Sequence, residues 1–173
     1  LFLASLSTDV HLHDTYFVVS HFHYVMAGSN LLALLAGFYY WWPKMFGRMY
    51  NETAASIGCV LVFIGFNATF LPQFVMGSRG MPRRYYDYSS FPMFDGIMDL
   101  NVLITFFAIV GGLAQIIFTY NFFNSIWRGQ KAVQNPWKSN TLEWTSPVQH
   151  MHGNWPGALP EVHRWPYDYS KPG

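Results

Sequence analysis

Charged side chains are scarce in this 173-residue sequence. Asp, Glu, Lys and Arg together make up 11% of it, against roughly a quarter of an ordinary soluble domain. With 51% hydrophobic and 20% aromatic residues, that scarcity excludes a typical soluble composition. The formal net charge is only +1, which excludes the basic field of a nucleic-acid binder and equally an acidic tail. Cysteine occurs once, at Cys59. An internal disulfide framework is therefore impossible, and there is no thiolate cluster for zinc or iron–sulfur ligation. Cys59 lies in an apolar run, where a small hydrophobic filler is the expected role. No internal repeat is visible. The chain opens on Leu1, and the apolar run to Ala4 has no basic segment before it. It is too short for a signal peptide or a spanning helix. That run reads as the end of a helix that begins elsewhere, in a longer polypeptide.

What the sequence does hold is apolar residues in blocks, since the mean hydropathy of the whole is only +0.13. A membrane-crossing helix needs about 20 residues free of unpaired charge. Three stretches contain no Asp, Glu, Lys or Arg: Thr15 to Trp42, Thr53 to Ser78 and Leu100 to Trp127. Aromatic groups at their ends, Tyr39 to Trp42 and Trp127, match interfacial belts. The expected fold is an all-α membrane protein of three transmembrane helices plus an irregular cytoplasmic tail; three buried helices of a large soluble protein are the alternative. The expected organisation is a helix end and outer loop over 1–8 and a first span with an outer ligand cluster over 9–42. A second span follows over 53–78, an outer loop over 79–99, a third span over 100–127 and the tail over 128–173. Lys44 and Arg48 follow the first span, and Arg128, Lys131 and Lys138 the third, which places both regions on the cytoplasmic or matrix side. Arg79, Arg83 and Arg84 in the loop between the second and third spans then face outward.

Four of the seven histidines fall between 11 and 23. His21 and His23 lie inside the first uncharged run, where ionisable groups are expensive and point to function. Positions i and i+2 on a helix project about 200° apart, so the two cannot easily chelate one metal. They can serve two centres on opposite faces. Neutral imidazole is a good iron ligand, and haem suits a lipid-depth pocket, so the pattern points to two haems with Phe22 between the ligands. The alternative is that each His bonds a neighbouring helix. His13 and Asp14, beside Asp9 and His11 at the outer boundary, suit Mg²⁺ or Mn²⁺; capping of the first turn by Asp14 is the alternative. Arg83 and Arg84 form a cationic pair suited to haem propionates. Lipid headgroups or Asp87 would serve them equally.

Four motifs, HDTYFVVSHFHY over 13–24, NATFLPQ over 67–73, MPRRY over 81–85 and TLEW over 141–144, closely resemble subunit I of the cytochrome c oxidase family of haem–copper oxidases. They occur in that family's order and at about its spacing. The resemblance covers nearly the whole chain and implies its last three of twelve helices. It implies that His21 is the proximal ligand of the high-spin haem and His23 an axial ligand of the low-spin haem, with Phe22 between them. Arg83 and Arg84 would bind propionates, Asp9 would lie near the high-spin propionate, and His13 and Asp14 would ligate Mg²⁺ completed by a carboxylate of subunit II. Copper ligands, the second low-spin haem ligand and the proton-channel residues would lie outside this chain.

Implied partners are the remainder of subunit I, the copper-containing subunit II, subunit III, cytochrome c and the lipid membrane, with no nucleic acid. The implied enzyme is a proton-pumping oxidoreductase that reduces O₂ to water, of which this chain alone is not catalytic. Asp14 and Tyr24 match the A-type, cytochrome c-oxidising branch and A-type haems. His11 and the tail segment VHRWPYDYS over 162–170 resemble bacterial forms, so a bacterial cytoplasmic membrane is expected, with the mitochondrial inner membrane as the alternative. Two other classes remain: a self-standing b-type cytochrome carrying electrons from quinol, and a non-redox assembly or ion-binding subunit. The first lacks enough histidines within its spans, because His150, His152 and His163 lie in the tail. The second leaves His21 and His23 unexplained.

Overall fold

The computed structural model describes residues 1–147 and 153–168, and among these it is helical with no strand. A 3₁₀ turn at Phe2–Ala4 precedes helix α1, Leu6–Leu12. The first span is an uninterrupted helical stretch built from α2 (Tyr16–His23), a π-helical stretch Tyr24–Leu31 and α3 (Leu32–Phe46). Helix α4 covers Glu52–Ser78, and α5 covers Met98–Arg128 after a 3₁₀ turn at Pro92–Ile97. Three helices, Tyr16–Phe46, Glu52–Ser78 and Pro92–Arg128, are long and apolar enough to cross a membrane.

The ends differ from those read off the uncharged runs, for identifiable reasons. The first span starts at Tyr16, one residue inside its uncharged run, because Thr15 is its N-cap: its hydroxyl accepts from the Phe17 N–H at 3.2 Å and donates to the Leu12 carbonyl at 2.7 Å. Asp14, before it, stands in the left-handed region at φ 56°. The span continues through Pro43 to Phe46, since a lysine at 44 marks the edge of an apolar layer without ending a helix. The π stretch follows from Gly28, Ser29 and Asn30, which weaken the α ladder. There the Ser29 hydroxyl bonds the Val25 carbonyl. Cys59, expected as filler, is exposed on this chain.

The chain divides into two compact units: Leu1–Ala36 with Glu52–Tyr120, and Gly37–Asn51 with Asn121–Gly173. In the first unit, small residues let backbones meet. A Cβ on Gly77 would stand 2.0 Å from the Phe17 amide nitrogen, and one on Gly65 would stand 2.7 Å from the Gly111 Cα. These glycines thus join α2 to α4 and α4 to α5 at near-contact distance. Met76, Met81, Phe94, Ile97 and Ile104 form its buried cluster, with Tyr16, Tyr88 and Phe91 packed against it. The Tyr88 hydroxyl donates to the Pro82 carbonyl at 2.8 Å, and burial, followed by the Tyr16 hydroxyl, pushes the phenol above its ordinary pKa.

The second unit is held by aromatic rings and long-range polar bonds. Trp42 donates to the Ser125 hydroxyl at 2.7 Å and packs against Phe122 at 4.1 Å. Asn121 and Asn51 exchange two bonds of 2.9 Å. An antiparallel bridge pairs Arg48 with Lys131, and the Arg48 guanidinium donates to the Gly129 carbonyl. Among the described residues after α5 the one helical element is a 3₁₀ turn at Leu142–Trp144, and that turn is anchored. The Trp144 indole, 2% exposed, donates to the Tyr40 hydroxyl at 2.6 Å, and Lys44 pairs with Glu143 at 2.6 Å.

Candidate cofactor site

His21 and His23 are both on α2, two residues apart, and they line different grooves. His21 is exposed and lines a groove of about 340 Å³ with Leu1, Phe2, Leu3, Phe17 and Phe74. His23 is half-buried and lines one of about 460 Å³ with Phe22, Met26, Ala27, Asn30, Leu31 and Leu34. Their separation onto two faces follows from the 100° step of the helix. Neither groove is lined by both.

The alternative in which each histidine bonds a neighbouring helix fails for His23. Its Nδ1 lies 2.8 Å from the carbonyl of Val19, one turn back on the same helix. A carbonyl can only accept, so Nδ1 carries the proton and Nε2 keeps its lone pair. That is the arrangement in which an imidazole ligates a metal through Nε2 while its other nitrogen fixes the ring. The rings of Phe22 and Phe70 each lie 4.3 Å from the His23 ring, centroid to centroid, and the Phe70 plane is within 17° of parallel. Apolar walls, a fixed tautomer and a half-buried imidazole fit a haem at His23. At His21 the apolar groove fits one as well.

The second cluster forms where the segments before α2 and after α4 pair. Thr15 and Pro82 make an antiparallel bridge, with Tyr16 N–H donating to the Met81 carbonyl at 3.0 Å and Arg83 N–H to the Asp14 carbonyl at 2.9 Å. This pairing brings 13–14 and 83–84 together across nearly 70 residues of sequence. The Arg83 guanidinium grips Asp14 Oδ1 from Nη2 at 2.5 Å and from Nε at 2.8 Å. Those charge-assisted bonds hold the Asp14 carboxyl below its usual pKa. Asp14 is therefore not the cap of α2, and Arg83 does not take Asp87, whose carboxylate accepts from Ser89. Arg84 is exposed, in the left-handed region at φ 68°.

His13 lies between two carboxylates, with Nδ1 3.6 Å from Asp9 Oδ2 and Nε2 3.6 Å from Asp14 Oδ2. Both distances are too long for hydrogen bonds. The Nε2–Oδ2 pair is nonetheless spaced so that one divalent cation could bridge them at ordinary bond lengths of about 2.1 Å. Among the described residues no group of three or more His, Cys, Asp or Glu side chains could hold a metal ion. Any cation here would take its remaining ligands from water or from another chain.

Sequence reading missed Val19 and Phe70, which contact the His23 ring. The first carries no polar side chain to flag it, and Phe70 is 47 residues away with no local period linking the two. Of the tail histidines, His163 lies 3.3 Å from Glu161 at the surface, and His150 and His152 fall outside the described residues. His11 is exposed.

Comparison with known proteins identifies the family. The family described as "Cytochrome C and Quinol oxidase polypeptide I" matches residues 1–110. The chain is 40% identical over 175 residues to the "Alternative cytochrome c oxidase subunit 1" of Bradyrhizobium diazoefficiens, covering all of this chain and 30% of that protein. It is 43% identical over 169 residues to "Cytochrome c oxidase subunit 1" of Synechocystis, and 42% over 170 residues to that of Thermostichus vulcanus. Each of those two alignments covers 96% of this chain and 29% of the relative. The chain thus spans about 30% of the length of the curated relatives it matches. With its three apolar helices and its two groove-lining histidines, this integral membrane chain belongs to the cytochrome c and quinol oxidase polypeptide I family.

Proposed function

We propose that this chain is part of the catalytic subunit of a terminal respiratory oxidase and contributes one axial imidazole to each of two haems. The observation that carries the proposal is the placement of His21 and His23 on one helix but in separate grooves, with the His23 tautomer fixed by Val19. His23 would hold the low-spin haem and His21 the high-spin haem, both of A type, and Phe22 would stand between them. Bound there, the haems would supply reversible one-electron chemistry and, at the high-spin site, an iron centre for O₂ reduction, with copper held by residues outside this chain.

The remaining residues bind and position. The Val19 carbonyl keeps the His23 Nδ1 proton, so Nε2 stays free to ligate. Arg84, with the donor nitrogens of Arg83 that Asp14 does not use, offers fixed positive charge to propionates. Asp9 stands beside His13 and would lie near the high-spin propionate. His13 Nε2 and Asp14 Oδ2 would contribute two ligands to Mg²⁺, with subunit II completing the set. The complete complex would take electrons from cytochrome c through subunit II, carry subunit III, reduce O₂ to water and pump protons. It would sit in a bacterial cytoplasmic membrane with the tail on the cytoplasmic side.

The deciding experiment is a reduced-minus-oxidised spectrum of the purified complex, with and without carbon monoxide. Two haem signals, of which one shifts on carbon monoxide, are expected. A single haem blind to carbon monoxide, or none, would refute the proposal and return the chain to the electron-carrier or non-redox readings.

A further inference from the structure

The His23 imidazole is poised by one residue of the neighbouring helix, and a serine holds that residue in place. Ser20 is fully buried, 0% exposed, and its hydroxyl donates to the Phe70 carbonyl at 2.6 Å. Ser20 and His23 are three residues apart on α2 and therefore share a face. Phe70 meets both of them: its carbonyl accepts from Ser20, and its ring stacks on His23 at 4.3 Å and 17°. One residue of α4 is thus tied to α2 at its backbone and at its ring, one turn apart.

The tie has a specific consequence for a ligand. The torsion that turns an imidazole about its Cβ–Cγ bond is broad and roughly two-fold, so the helix alone does not set the ring plane. The bond from Nδ1 to the Val19 carbonyl fixes where one edge of the ring sits. The Phe70 face then limits rotation about that edge, provided that Phe70 itself stays in register with α2. The Ser20 hydroxyl supplies that register.

We infer that Ser20 is a positioning residue for the His23 ring, acting through Phe70, and that the pair sets the imidazole plane presented to the low-spin haem. This rests on the proposal that His23 ligates that haem. The plane of an axial imidazole governs the splitting of the iron d orbitals, which is read directly in the g values of the oxidised low-spin haem. It also affects the midpoint potential. Neither readout moves when a variant merely lowers stability.

The test uses the purified membrane complex in four forms: parent, Ser20→Ala, Ser20→Thr and Phe70→Leu. Low-spin haem is quantified first in each. Ser20→Ala is expected to retain the haem while shifting its largest g value and its midpoint potential. Phe70→Leu should shift both in the same direction and further. Ser20→Thr, which keeps a hydroxyl, should restore parent values. Parent g values and potential in Ser20→Ala and in Phe70→Leu, with low-spin haem retained, would overturn the inference. So would a Ser20→Thr variant that shifts as far as Ser20→Ala. A His23→Leu control separates the two levels: if it keeps an unaltered low-spin signal, the ligand assignment itself falls, whatever the serine variants show.

Discussion

The two compact units use the same joining device and finish it differently. Each contains an antiparallel bridge between the end of one helix and a distant segment, Thr15 with Pro82 in one and Arg48 with Lys131 in the other. Each adds an arginine side chain at the bridge, Arg83 to Asp14 and Arg48 to the Gly129 carbonyl. Beyond that they diverge. The second unit makes several long-range polar bonds within the chain: Trp42 finds Ser125, Trp144 finds Tyr40, and Lys44 finds Glu143. The first leaves His21, His13 and Arg84 exposed and lines two grooves with its histidines. An ionisable side chain inside a membrane span is costly and points to use, so a chain that exposes His21 within its first span presents it for something that arrives from outside it. An anchor is closed within the chain, whereas a site is left open.

That contrast can be broken by removing one unit's function while the other persists. The largest effect is expected from His23→Leu, which should reduce haem content from two per complex to one, measured as pyridine haemochrome, while trypsin still spares the tail. Next comes Gly77→Ala. Its Cβ would meet the Phe17 backbone at 2.0 Å, and overpacking of that kind costs about 1–3 kcal/mol or more. Displacing α2 should lower the temperature at which haem absorbance is lost on heating the complex.

Trp144→Ala should act in the opposite sense on the two units. Truncating a buried Trp costs about 3–5 kcal/mol, here spent on the tail, so limited proteolysis should cut after residue 130 while haem spectra stay unchanged. The smallest effect belongs to Lys44 and Glu143. Their side chains are 20% and 46% exposed, and a double-mutant cycle on thermal stability should give a coupling of roughly 0.2–1 kcal/mol. A haem spectrum altered by Trp144→Ala, or a tail freed by His23→Leu, would show that the two units are not independent in function.

Much of the first unit was legible because its signals are local. Three uncharged runs mark three helices, and an i, i+2 spacing alone puts His21 and His23 on different faces. The starts and ends were less so. Thr15 caps α2 through its own hydroxyl, and a charge count cannot see where a hydroxyl turns. The π stretch at Tyr24–Leu31 was hidden because Gly28, Ser29 and Asn30 interrupt no apolar run. The Arg83–Asp14 pair was out of reach since either residue had several plausible partners, and only the Thr15–Pro82 bridge selects one. The tail showed no period and read as irregular, and among its described residues there is a 3₁₀ turn at Leu142–Trp144. Its fixing by Tyr40 and Lys44 depends on contacts about 100 residues apart, which leave no trace in local pattern.

The meeting of Gly65 with Gly111 bears on biogenesis. Two helices that touch backbone to backbone need no imidazole, iron or partner chain to recognise one another. Helix α4 leaves the ribosome before α5, so this pair can close as soon as α5 has been inserted, ahead of any cofactor. The contact between α4 and α5 is therefore one that haem supply does not govern.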